Sequence, residues 1–127
     1  GFHLPTDAEW MMLERHLGMD AGELEGLENW RGHAGELLKT GEQGIGFDAL
    51  YGGAAVYALS TAYNSRYVYK NEGAYFWSSD QIVISDSLSN GIVRNISLYH
   101  SGIRRMTSRL ISTTENVRPS YSVRLVK

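Results

Sequence analysis

Cysteine is absent from this 127-residue chain. That excludes a disulfide scaffold, thiolate catalysis and cysteine-ligated metal, and leaves the redox compartment open. Long apolar runs are also absent. Stretches such as Ala54-Ala55-Val56 are only a few residues long, where a helical membrane span needs about 20. An excess of positive charge is missing as well. A formal net charge of −2 argues against general nucleic-acid binding, which needs a basic surface. The chain opens at Gly1-Phe2 with neither a methionine nor a basic-then-apolar leader. The expectation is a removed signal segment or a piece of a longer precursor.

What is present describes one globular domain over residues 1–127. Hydrophobic residues make up 43% and charged residues 20%, ordinary usage that points to neither disorder nor a fibrous repeat. The length supports one hydrophobic core. Charge is unevenly spread. Residues 1–48 hold ten acids against Arg15, Arg31 and Lys39, whereas residues 91–127 hold six arginines and Lys127 against Glu115. Either the two halves complement each other inside one fold, or the later half presents a basic face to an anionic ligand.

Periodicity places helices first and strands afterwards. Thr6-Asp7-Ala8-Glu9 has the form of a capping box, and Trp10, Leu13 and Leu17 follow at helical spacing until Gly18 ends the run. Residues 19–30 read as a loop or short weak helix. His33–Lys39 reads as a second short helix burying Ala34, Leu37 and Leu38, and 40–46 as a turn-rich connection. From Phe47 onward Tyr, Val, Ile, Thr and Ser dominate between glycine-marked turns. Strands are expected over 66–70 and 74–78, with a hairpin of 92–99 and 103–111 around Ser101-Gly102. A last strand should set Tyr121, Val123 and Leu125 on one face. This is an α+β arrangement.

The residues offer little catalytic chemistry. His3, His16, His33 and His100 lack the short spacings of zinc sites. No Gly-x-Ser-x-Gly elbow occurs. Gly44-Ile45-Gly46 is only a fragment of a phosphate loop, and the clustered acids read as a solvated face. No enzyme activity, metal or cofactor is expected.

Several motifs in order carry a family resemblance. They are Gly1-Phe2-His3-Leu4-Pro5-Thr6-Asp7-Ala8-Glu9-Trp10 with Leu17-Gly18, then Trp30-Arg31-Gly32, Gly35 and Leu38-Lys39. Gly46-Phe47-Asp48-Ala49-Leu50 with Gly52-Gly53 follows, then Tyr75-Phe76-Trp77-Ser78-Ser79. Val93-Arg94 with Leu98 and Tyr121-Ser122-Val123-Arg124-Leu125-Val126-Lys127 complete the set. With these the chain resembles the Fibrobacter succinogenes major paralogous domain, common in secreted and lipid-anchored proteins of gut Bacteroidetes. The resemblance implies a C-type-lectin-like fold, two short helices packed on a twisted antiparallel sheet. Residues 4–10 are also similar to a segment of formylglycine-generating enzymes, whose reaction depends on the cysteines this chain lacks. The family usually has a cysteine ahead of the Gly-Phe-His-Leu-Pro segment and another where Leu125 stands, so its disulfide staple is absent. Its N-terminal strand region is expected to be missing too. Trp10, Trp30 and Trp77 are read as core anchors, and Arg124 as a partner of Asp48 or another acid.

Calcium-dependent sugar binding lacks its signatures. Glu115-Asn116-Val117 has no proline, and Trp77-Ser78-Ser79-Asp80 is not Trp-Asn-Asp. What remains is a surface over residues 80–114, rich in aromatic, Arg and apolar residues of interface type. The candidate ligand-binding residues are Asp80, Ile82, Ile84, Tyr99, His100, Arg104, Arg105, Met106 and Arg109. The expected function is a secreted or cell-surface module displaying this face to a protein or glycan. The face is open to diversification, since related lectin-like proteins are variable targets of diversity-generating retroelements. The rival is a structural subunit or tip domain of a surface assembly, completed by a neighbour's strand.

Overall fold

The computed structural model describes residues 1–58, 66–86, 88–109 and 117–127. It is α+β: the described residues form two short helices and two antiparallel sheets in place of the single sheet expected. Helix α1, Asp7–His16, starts as its capping box requires: Thr6 Oγ1 accepts from the Glu9 N–H at 3.1 Å, and the Glu9 carboxylate accepts from the Thr6 N–H at 2.8 Å. It ends at Leu17 and Gly18, whose φ of 95° suits a residue without Cβ. Helix α2, Ala34–Leu38, lies inside its expected span. Gly35 there is obligatory, because a Cβ would fall 2.7 Å from the Ser101 carbonyl oxygen and closer still to that of Gly102.

The larger sheet has the order β1-β6-β5-β4, formed by Trp30–Arg31, Ile103–Arg109, Leu88–Ser97 and Gly73–Ser85. The expected hairpin is β5–β6. Strand β4 runs well past residue 78, with a register shift between Trp77 and Gln81. The smaller sheet is β3-β2-β7, formed by Arg66–Val68, Ala54–Ala58 and Val117–Ser120.

Alternation gives the larger sheet two unlike faces. Ala74, Phe76, Ile96 and Ile103 point inward and join Trp10, Leu38 and Ala49 in the core. Trp10 lies against Phe76 and Phe47, with ring centroids 6.0 and 5.9 Å apart. The same inward face carries charge. Phe76, Arg94 and Arg105 are directly opposed across β4, β5 and β6, and the two guanidinium groups lie under α1.

Three expectations are corrected here. Residues 121–127 form no regular strand; Val123 and Leu125 are exposed while Val126 is half-buried. Isolated bridges replace the expected ladder: His3 and Val126 exchange two backbone hydrogen bonds of 2.9 Å, and Ser122 bonds the backbones of Tyr75 and Trp77. Those local ties, made to two different segments, override the period-two pattern. Trp30 and Trp77 are half-buried on the outer face, so of the three tryptophans only Trp10 anchors the core. Arg124 finds an aromatic partner in place of an acid, its guanidinium 4.6 Å from the Phe47 ring centroid. Residues 110 and 111, the end of the expected hairpin, lie outside the described residues.

Candidate functional site

Two places on this sheet gather polar side chains, and they differ in access. The inner one is a buried ion cluster. Arg94 is fully buried and donates from Nε to Glu14 at 2.6 Å and from Nη1 to Asp7 at 2.7 Å. Arg31 donates to the same Glu14 oxygen at 2.8 Å, and Arg105 grips Asp7 through Nε and Nη2. The uneven charge distribution of the sequence is thereby explained for these residues. Acids on the first helix meet arginines from the later strands in the interior. Burial opposes ionisation of Asp7, but the hydrogen bonds and charges of Arg105 and Arg94 prevail and hold its carboxyl below the usual range. Arg105 itself is raised, chiefly by its hydrogen bond to Asp7 and against its burial.

Two expected ligand-binding residues belong to this scaffold. Arg105 is 9% exposed and committed to Asp7. Asp80 accepts the first helical N–H, that of Asp7, at 2.6 Å, so it caps α1 from the irregular stretch of β4.

The outer place is open. Trp30, Arg104, Asn95 and Tyr75 are directly opposed across β1, β6, β5 and β4, so the four side chains form one row on the outward face. The row is aromatic at both ends and polar between. Two turns rim it at the Gly73–Ser97 end. The turn before β4 brings Tyr69 and Glu72, and the turn after β5 brings Tyr99 and His100. They are tied by a hydrogen bond from the Leu98 N–H to the Glu72 carbonyl at 2.8 Å. Together they enclose a cleft of about 250 Å³.

Each wall is held. His100 stacks on Trp30 with centroids 4.1 Å apart and planes 12° apart. Tyr69 packs on Tyr75 at 5.9 Å, from a backbone at φ 58°. For a bulky aromatic that is a strained conformation, of the kind that clusters at ligand clamps. Arg104 is fixed by Glu28 at 3.0 Å, and Glu28 also accepts from the Thr107 N–H at 2.8 Å. The Arg104 Nε is buried and finds no hydrogen-bond partner among the described residues. Burial, then the neighbouring Tyr69 and Tyr121, raise the Tyr75 phenol, so it stays protonated at neutral pH. Beyond Tyr75 the aromatic surface continues through Tyr121, stacked at 5.5 Å, to Trp77 at 4.8 Å.

Of the candidate residues read from the sequence, this face unites Tyr99, His100 and Arg104. Met106 is half-buried one row further on, opposite Val93 and Trp77. Half-buried Ile82 and exposed Ile84 lie at the other end of the β4–β5 hairpin, roughly 23–30 Å from Tyr75 at the rise of an extended strand. Arg109 ends β6 opposite Asn90; its side chain, and residues 110–114, lie outside the described part. Trp30, Tyr69, Glu72, Tyr75 and Asn95 are additions. The Tyr75/Trp77 alternation in β4 was a usable signal for an aromatic outer face. Nothing local marked the others.

Among the described residues no three His, Asp or Glu side chains converge as a metal group would require. His33 Nδ1 lies 2.9 Å from Ser101 Oγ. Among the described residues no acid orients that ring, as an activated serine would need.

A family model for the Fibrobacter succinogenes major domain matches residues 1–127. No curated protein matches, and no solved structure matches.

Proposed function

The chain belongs to the Fibrobacter succinogenes major domain family, and from that premise we propose that it is a non-enzymatic, extracellular ligand-binding module of C-type-lectin-like architecture. Its binding site is the outer face of the larger sheet, centred on the cleft between Trp30 and Tyr75. One observation carries this reading: four strands each contribute one side chain to a row with aromatic ends and a polar middle, beside a cleft. Concave sites that combine aromatic walls with a few placed polar groups are the usual form of a ligand site. The ion cluster on the other face keeps the scaffold independent of what the outer face carries, and this is also what diversification of Tyr99, His100, Arg104 and Met106 would require.

The rival reading, a subunit completed by a neighbour's strand, needs an open backbone edge near the C-terminus. Ser122 and Val126 already use their backbone groups within the chain, so that motive is weakened. The test is a mixed array of surface proteins and glycans, probed with the wild type and with Tyr99→Ala/His100→Ala/Arg104→Ala. The expected result is lost binding with Tm changed by only a few degrees, since these three lie outside the core. Array binding unaffected by the triple substitution would overturn the assignment of this face.

A further inference from the structure

Resting on that binding reading, we propose that the cleft holds one pyranose ring of a neutral saccharide, without a metal ion. Size points first to a single ring. About 250 Å³ falls just under the range of roughly 300–1,000 Å³ typical of drug-sized ligands. Chemistry points to a sugar. A pyranose has apolar C–H faces and a rim of hydroxyl groups that both donate and accept. The cleft offers ring surfaces at Tyr69, Tyr75 and His100 for the faces. For the hydroxyls it offers the Glu72 carboxylate as acceptor and the part-exposed Arg104 guanidinium as donor.

Charge selects neutral over anionic sugars. The Arg104 guanidinium is already offset by Glu28, and Glu72 adds a negative charge at the rim. Backbone pairing argues against an extended peptide beside the cleft. The Trp77 N–H donates to Ser122 and the Tyr75 carbonyl accepts from it, at 3.1 and 2.9 Å, so that edge of β4 cannot add a strand there. The aromatic surface running through Tyr121 to Trp77 gives a second ring a place to stack. A disaccharide or trisaccharide should therefore bind about tenfold tighter than its monosaccharide.

Gly73 keeps the floor of the cleft open. A Cβ there would stand 3.0 Å from the Tyr75 ring and 3.3 Å from Asn95 Nδ2. The experiment follows tryptophan fluorescence, to which Trp30 in the cleft contributes, during titration with methyl glycosides. The probes are those of glucose, galactose, mannose, N-acetylglucosamine and xylose, each with EDTA present, with glucuronic acid as the anionic control. At least one neutral glycoside should give a saturable change, with glucuronic acid tenfold weaker or silent. Gly73→Ala and Glu72→Ala should each weaken it at least tenfold. Glu72 lies on an exposed turn, so its variant stays informative even if Gly73→Ala unfolds. No saturable neutral sugar, a requirement for calcium, or binding that survives Glu72→Ala would overturn the proposal. Array binding to proteins alone, lost in the triple variant, would sink the saccharide and leave the binding face standing. Array binding indifferent to the triple variant would sink both.

Discussion

Replacing Glu14 by Gln isolates the contribution of the buried ion cluster. In the native chain three guanidinium groups, those of Arg31, Arg94 and Arg105, share two carboxylates, those of Asp7 and Glu14. Glu14 serves two of them at 2.8 and 2.6 Å, and neither its side chain nor that of Arg94 reaches solvent. The amide keeps the shape but removes the negative charge, leaving three buried cations against Asp7 alone. Removing one partner of a buried pair costs about 3–5 kcal/mol, because the other charge is stranded. For a domain of this length that corresponds to a fall in Tm of roughly 10–20 °C. Arg94→Met acts in the opposite sense on the balance. It leaves two cations for two anions, with the Arg31–Glu14 and Arg105–Asp7 pairs intact, and should cost nearer 2 kcal/mol. Thermal and urea unfolding followed by circular dichroism gives both values if the transition is two-state. Equal losses, or a larger one for Arg94→Met, would refute the charge-counting argument.

Acid should act through the same cluster. The Asp7 carboxyl is lowered in the folded protein, so its stabilisation is complete above the unfolded value of about 3.9 and lost as pH falls through the lower folded value. Urea midpoints measured from pH 5 downward should fall more steeply for the wild type than for Asp7→Asn; parallel curves would contradict this. Thr6→Ala, which removes the cap hydroxyl of α1, should cost about 1 kcal/mol in the same unfolding experiment. Gly35→Ala drives a Cβ into the backbone of the β5–β6 turn. It should cost more than about 3 kcal/mol or abolish folding, whereas a loss under 1 kcal/mol would show that α2 can move away.

The helices were legible because their signals are local. Thr6 and Glu9 cap each other three residues apart, and Gly18 terminates the turn it follows. The β5–β6 hairpin was legible for the same reason. The C-terminal segment misled, because alternation at Tyr121, Val123 and Leu125 is a local pattern, while the actual partners of Ser122 and Val126 are Tyr75, Trp77 and His3. The cleft was half legible. Tyr99, His100 and Arg104 cluster in sequence and again in space. Trp30 reaches them only through the pairing of a two-residue strand with β6, and no periodicity exists over two residues. Arg105 shows the limit most sharply. Its neighbour Arg104 lies on the outer face and Arg105 on the inner one, a difference set by pleat parity, and their residue types are identical.

Whether the outer face of the larger sheet binds ligand is read most directly from a map of backbone amide shifts in ¹⁵N-labelled protein, titrated with whichever array feature the wild type captures most strongly. Shifts should concentrate at Glu72, Gly73, Ser97 to His100 and Arg104. Shifts confined to α1, or to the distal end of the β4–β5 hairpin around Ile82 and Ile84, would contradict it.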